Sequence, residues 1–392
     1  NSTIRGKSRE LKTRRVCFSA DLDFLNLKQR GPQKSVGTSD LPLRGFAAIF
    51  VLLSHFLGIF WIMNPAISSL MGVPKLENLP NLPGLLSIFA EHCIVAGQFG
   101  VGIFFIVSGL VIPFSIDPSR KLNFLRRRAW RIYPVYIAGF TFVMFSLYLL
   151  ALYKNVDYRI TLADTLAHFG VITRAPFGVT RIDGISWTLE VEIYFYLILC
   201  VLGARALNFD FKRFIAVIFF IAIVAAVTFK VKHYLIGVQV ASGMLLVLGL
   251  AYHALMASRI TLRQLWIIQI LVTCLIPILW LLVAEPYQYT LQWMSGYLLA
   301  IAIFHLCYIF RSRFTDNKIL SHMADISYPL YVVHALFGYA IMYVMVEHGI
   351  GPLTAVAAAC LAAYLMAVII HLVIEKPSLK HSKVKHLRGA TA

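Results

Sequence analysis

Ten predominantly apolar stretches, most of them near 20 residues long, recur along the chain, at 41–63, 90–114, 133–152, 186–203, 213–229, 235–255, 264–284, 291–310, 327–347 and 353–374. About 20 residues of α-helix cross the ~30 Å hydrocarbon core of a bilayer. With no water there to satisfy backbone N–H and C=O groups, only helices and closed barrels can span it. Barrel strands need about half this length, so the spacing predicts an all-α integral membrane protein with about ten transmembrane helices. Composition agrees, because hydrophobic residues make up 59% of the 392, more than a soluble core requires.

Basic residues give the orientation. If both termini are cytoplasmic, the inner segments carry 28 of the 36 Lys and Arg, the outer connections seven, and Arg44 is the remainder. A fourfold excess is a firm positive-inside bias. The net charge of +18 is thereby explained as topology and attraction to anionic membrane lipid. Nucleic acid is not expected as a partner, since the basic residues are spread over six separate segments.

Residues 1–40 are polar and basic and lack the apolar core of a secretory signal, so a basic cytoplasmic arm is expected there, with the first helix as an uncleaved anchor. The chain opens on Asn1 rather than Met. A ten-helix domain is expected over 41–375 and a basic cytoplasmic tail over 376–392. The six cysteines, Cys17, Cys93, Cys200, Cys274, Cys307 and Cys360, are scattered without CxxC spacing. Neither a disulfide framework nor a metal site is suggested.

Ionisable side chains inside a bilayer are costly and mark function. Arg44 and His55 bracket ten almost wholly apolar residues, GFAAIFVLLS, which places them on one helix face, roughly 16 Å apart along the axis. His334 lies roughly 12 Å into the ninth helix from the same side. The two histidines can meet. Glu192, counted from Ser186, lies roughly 9 Å below the outer surface and is expected in the opposite half of any pathway. Glu190 is two residues away on another face, so the two carboxylates are not expected to form a dyad. Each residue also has a blander role open to it: a packing histidine, a helix-pairing carboxylate, a topogenic arginine. His92, His168, His233, His305 and His371 stay unassigned.

The segment FLRRRAWRIYP, Phe124 to Pro134, stands at the mouth of the third helix. Arg128 and Arg131, three apart, can face one spot, and a guanidinium is a fork suited to phosphate. A positive-inside cluster would look the same. Arg44 at the same surface favours a phosphate clamp, beneath a histidine about as far away as a long phosphorylated thioester would reach.

The runs LRGFAAIFVLLSHF (Leu43 to Phe56), FGVGIFFIVSGLVI (Phe99 to Ile112), RRRAWRIYP, ISWTLEVEIYFYL (Ile185 to Leu197) and ISYPLYVVH (Ile326 to His334) together resemble the acyltransferase-3 family of integral membrane acyltransferases. The order and spacing of five motifs carry the resemblance, which spans almost the whole apolar region. It implies a ten-helix protein that acylates a hydroxyl, with Arg44 and His55 as the Arg-x10-His signature of the first helix. It also implies roles for Ser108 with Gly109 on the second helix, Arg128 and Arg131 before the IYP turn, Trp187 and Glu192 in the fourth-helix element, and Tyr331 and His334 in the ninth.

The family usually has aspartate where Leu41 stands, an acidic or polar residue at Gly102, and a second glutamate at Ile193. Many members also append an esterase-like domain. This chain ends 17 residues after position 375 and is expected to act alone or to recruit such a partner.

By this resemblance, acetyl-CoA is the expected acyl donor, held by Arg44, Arg128 and Arg131, with no metal. His55 is the expected general base or nucleophile, assisted by Glu192 and His334, and Ser108, Trp187 and Tyr331 line the substrate path. Gly100 and Gly102 would permit close helix approach beside a narrow channel. The expected acceptor is a surface carbohydrate, free or lipid-linked, such as lipopolysaccharide O-antigen or exopolysaccharide, with a macrolide or other small molecule as alternative. The expected location is the bacterial inner membrane. A secondary transporter or flippase for an acyl or glycan precursor is the competing reading. Surface glycans from cells with the gene should carry an acetyl mass increment that cells without it lack, as read by mass spectrometry; an increment on a soluble small molecule would redirect the acceptor.

Overall fold

The computed structural model describes residues 42–116, 120–173, 178–231, 233–282, 289–311 and 317–388; the arm expected at 1–40 lies outside them. Nine helices among the described residues are long and apolar enough to cross a membrane. They are α1 (Leu43–Ile62), α2 (Cys93–Ser115), α3 (Lys121–Lys154), α5 (Phe211–Lys230), α6 (Tyr234–Met256), α7 (Leu262–Leu281), α8 (Thr290–Ile309), α9 (Ser327–Glu347) and α10 (Pro352–Ser382). The tenth expected span is α4 (Ser186–Leu202), at 17 residues the shortest of the set. This is a multi-pass, all-α integral membrane protein.

α2 is the hub. Its membrane window is 83% buried, against 22% for α5 and α10, and it packs on α1, α6 and α8. Small residues make that possible, since apolar burial does not drive association in lipid and close backbone approach does. Where α2 crosses α6, a Cβ on Gly109 would stand 2.0 Å from the Leu246 carbonyl oxygen, and one on Gly249 would stand 2.1 Å from that of Ile106. Gly100 meets α1 at the Ala47 carbonyl and Gly102 meets α8 at Ala300, the close approach expected of them.

Two elements run past their expected ends. α3 was expected over 133–152 but starts at Lys121 and continues for 34 residues, about 51 Å at 1.5 Å per residue. Its arginine-rich first turns are therefore helical and extend beyond a ~30 Å apolar core. Pro134 lies inside α3 and removes the N–H that would bond the Trp130 carbonyl four residues back. Ser378 donates its hydroxyl to that carbonyl instead.

Ser378 belongs to the second overrun. α10 was expected to stop at 374 and give way to a tail from 376, but the chain stays helical through Lys376–Arg388. Ahead of Pro377 the helix widens into a π turn at His371–Glu375, which accommodates a residue that can neither donate to position 373 nor clear its carbonyl. Trp130 and His381 pack at 4.9 Å beside the same junction.

α1 has a π turn of its own, at His55–Ile59. Such a turn displaces a backbone bond, and the Trp61 indole donates to the Phe56 carbonyl at 2.8 Å. Between α3 and α4 lies a short helix, Leu162–Phe169, with a Thr161/Asp164 capping box. Hydrogen bonds from the Thr161 hydroxyl and N–H hold the Asp164 carboxyl below its usual range. His168 is fully buried there, stacked on Phe140, with Nδ1 on the Asp164 carbonyl and Nε2 accepting from Ile182 N–H.

Gly249→Ala should force α2 and α6 apart and cost about 1–3 kcal/mol as an overpacking change. Gly243→Ala, whose Cβ would have no neighbour closer than 4.0 Å, should be neutral or slightly stabilising. Thermal melting in detergent compares them, and equal Tm values would contradict the tight α2–α6 crossing.

Candidate active site

α1 carries Arg44 near its start and His55 at the entry to its π turn. α9 lies beside it and supplies His334 and Tyr339. The His55 and His334 rings meet edge to face with centroids 4.7 Å apart. His55 Nδ1 is 2.5 Å from the Tyr339 hydroxyl, and Tyr339 is 2% exposed. His334 is also 2% exposed. Its Nδ1 lies 2.9 Å from the Tyr331 carbonyl and 3.1 Å from that of Leu330. Carbonyls only accept, so Nδ1 bears the proton and Nε2 the lone pair. That Nε2 is buried and without a hydrogen-bond partner among the described residues.

Two cavities lie in this part of the bundle, one of them lined by His55. The larger, about 170 Å³, is lined by His55, Ser54 and Met63 of α1, Gln98 of α2, Trp187 of α4 and Trp293 of α8. The smaller, about 50 Å³, is lined by Arg44, Ser108, Glu192, Thr188, Ser327 and Tyr328. Both are also lined by Val101 and Tyr331, so the two volumes adjoin at those side chains. Tyr331 is pinned there, its hydroxyl 2.8 Å from the Ile185 carbonyl and 2.5 Å from Thr188 Oγ1.

Arginine and carboxylate share the smaller cavity. Glu192 Oε1 accepts from Ser108 at 3.0 Å and from Tyr196 at 2.5 Å. Arg44 lies within electrostatic reach of Arg131, Glu192, Tyr196 and Glu375, and its Nε is buried without a hydrogen-bond partner among the described residues. Arg128 is 8% exposed. Its guanidinium donates to Ser115 Oγ and lies 5.5 Å and 5.4 Å from the Phe124 and Tyr196 ring centres. Arg127 donates to the Ser115 carbonyl at 2.7 Å. The arginines thus close the carbonyl end of α2, where its dipole favours cations.

The placement expected for Glu192 is corrected. Instead of the half opposite Arg44, it lies in the same cavity as Arg44. The depth count took Ser186 as the membrane surface, but the chain before α4 already dips into the bundle. Asp183 is 6% exposed and bonds the Ser186 N–H at 3.0 Å, while Gly184 and Ile185 line the larger cavity. α4 therefore starts below the surface and delivers Glu192 deeper. Glu190 faces elsewhere, toward Arg181 at 3.1 Å and Gln239 at 2.6 Å.

Tyr339 and Glu375 belong to none of the five sequence motifs. Tyr339 is one tyrosine among 18 and is distinguished only by the α1–α9 contact. Glu375 is 4% exposed and pairs with His371 at 2.7 Å across the π turn; the i, i+4 spacing of a histidine and a glutamate was its one available clue. Among the described residues no group of three or more His, Cys, Asp or Glu is arranged to hold a metal ion.

The family model of an acyltransferase domain matches residues 43–372, a stretch that includes Arg44, His55, Glu192, Tyr331 and His334. The chain belongs to the acyltransferase-3 family. Comparison with curated proteins and with solved structures gave no match. This membrane acyltransferase thus brings Arg44 and His55 to adjoining cavities, with Trp187, Glu192 and Tyr331 on their walls.

Tyr339→Phe would leave the half-buried His55 Nδ1 without its partner, at a cost of about 1 kcal/mol. Tyr153→Phe, at a residue 50% exposed, is the control. A lower Tm for the first alone is expected in detergent, and matching melts would remove Tyr339 as a partner of His55.

Proposed function

We propose that this acyltransferase moves an acyl group, acetyl in the simplest case, from cytoplasmic acyl-CoA to a hydroxyl of a cell-surface carbohydrate. One observation carries the reading. The Arg44 cavity and the His55 cavity adjoin at Val101 and Tyr331, so a donor anchored in one can reach a reactive nitrogen in the other. The orphaned Arg44 Nε, with Arg128 and Arg131 nearby, suits the phosphates of CoA. The excess of basic residues at that end of the helices supports a cytoplasmic face, in a bacterial inner membrane.

The pantetheine arm passes Tyr331 and brings the thioester to His55. With Nδ1–H donating to Tyr339, His55 Nε2 carries the lone pair. It takes the proton of the acceptor hydroxyl as the oxygen attacks the thioester carbonyl. The C–S bond breaks as the C–O bond forms, and the proton passes from His55 to the departing thiolate, giving ester and free CoA thiol. His334 Nε2, a bare lone pair edge-on to His55, stabilises the transient imidazolium. Glu192 is too closely engaged with Ser108 and Tyr196 to serve that proton directly; its charge balances the arginines around the donor.

Purified protein in lipid nanodiscs should release CoA thiol from acetyl-CoA when acceptor glycan is present. His55→Ala should abolish release while still inserting into the membrane, and Arg44→Ala should raise the KM for acetyl-CoA by about tenfold or more, the scale of one lost charged hydrogen bond. Full activity of the His55→Ala protein would sink the mechanism, and an unmoved KM in Arg44→Ala would remove the phosphate anchor.

A further inference from the structure

The larger cavity differs in chemistry from its neighbour. No Asp, Glu, Lys or Arg lines it, whereas the smaller one holds Arg44 and Glu192. One wall is a pair of indoles, Trp187 and Trp293, with ring centres 5.8 Å apart and planes inclined at 37°. Gln98 is 9% exposed, and its Oε1 is buried with no hydrogen-bond partner among the described residues; the Ser54 hydroxyl, beside Cys93, lines the same cavity. Tryptophans at a membrane interface commonly face lipid, as Trp266 does at 42% exposure. Trp187 and Trp293 are half-buried and face the cavity instead.

We infer that this cavity is the acceptor subsite and that its ligand is a neutral, pyranose-type sugar residue, an inference that rests on the acyltransferase reading above. A pyranose presents C–H groups on one face and hydroxyls around its rim. The C–H face matches the negative π face of an indole, and the rim donates to Ser54 Oγ and to Gln98 Oε1, an acceptor that is expensive to leave unpaired. At 5.8 Å the two indoles touch and leave no slot between them, so the sugar lies across the pair rather than inside it. That places a rim hydroxyl toward His55 on the same cavity wall.

Other acceptors fit less well. An aliphatic alcohol leaves Gln98 Oε1 unpaired, the kind of mismatch by which polar sites reject analogues. A uronic acid brings a carboxylate into a cavity with no arginine or lysine to meet it. A macrolide is too large, since drug-sized ligands fill about 300–1,000 Å³ and this cavity is about 170 Å³. Trp293 and Gln98 are then specificity residues outside the five sequence motifs.

The test uses the full chain in nanodiscs with radiolabelled acetyl-CoA and three sets of probes: neutral methyl pyranosides, the corresponding methyl uronides, and straight-chain alkanols. Acetylation of at least one neutral pyranoside, well above uronides and alkanols, is expected. Trp293→Ala should raise the KM for that sugar about tenfold, Trp293→Phe should bring it back to within about threefold by restoring a ring, and Gln98→Leu should also raise it. Equal use of uronides or alkanols, turnover to water with no pyranoside labelled, or an unchanged sugar KM in both Trp293→Ala and Gln98→Leu would overturn the subsite. No CoA release with any acceptor or with water would overturn the acyltransferase mechanism itself, and the subsite with it.

Discussion

A polar group inside an apolar bundle must find a partner in the protein, because neither lipid nor water is there to supply one. Most of this structure follows from that requirement. The Trp130 carbonyl freed by Pro134 is met by Ser378, the Phe56 carbonyl at the π turn is met by Trp61, and the carbonyl end of α2 is met by arginines of α3. Several buried side-chain atoms stay unmet among the described residues, some of them, such as Asn64 Nδ2, Tyr234 OH and His305 Nε2, away from the cavities. Arg44 Nε and Gln98 Oε1 belong to residues that line the two adjoining cavities, and these are the ones a ligand could complete.

Helix-length apolar runs made the membrane fold legible from sequence, because bilayer thickness fixes the length of a span. The histidine encounter was legible too: rise per residue put His55 and His334 at similar depths, and the rings meet. Glu192 was misplaced for an equally physical reason. Rise measures distance along a helix from its own first residue, not from the membrane surface, and α4 begins beneath that surface. Tyr339 was invisible because its importance arises from an α1–α9 contact 284 residues apart in sequence, a quantity that no local pattern encodes. Trp187 entered through its motif, whereas Trp293 stood apart from any motif and gained meaning only when α4 and α8 set the two indoles side by side.

The prolines explain why the bundle is longer than a hydropathy count suggests. Pro134 and Pro377 fall where apolar runs give way to basic ones, and each would ordinarily weaken its helix. Here the two defects repair each other: the residue beside Pro377 donates to the carbonyl stranded by Pro134. The arginine-bearing turns of α3 are therefore held rigid against the extension of α10, and Glu375, on the α10 side of that junction, comes within reach of Arg44.

Val101 and Tyr331 face both cavities, which gives them a second duty. Because both side chains line both hollows, a smaller residue at either position would merge the two cavities into one continuous space. On the proposed donor route, the side chains that separate the two chambers would then also limit the size of the acyl group that passes between them.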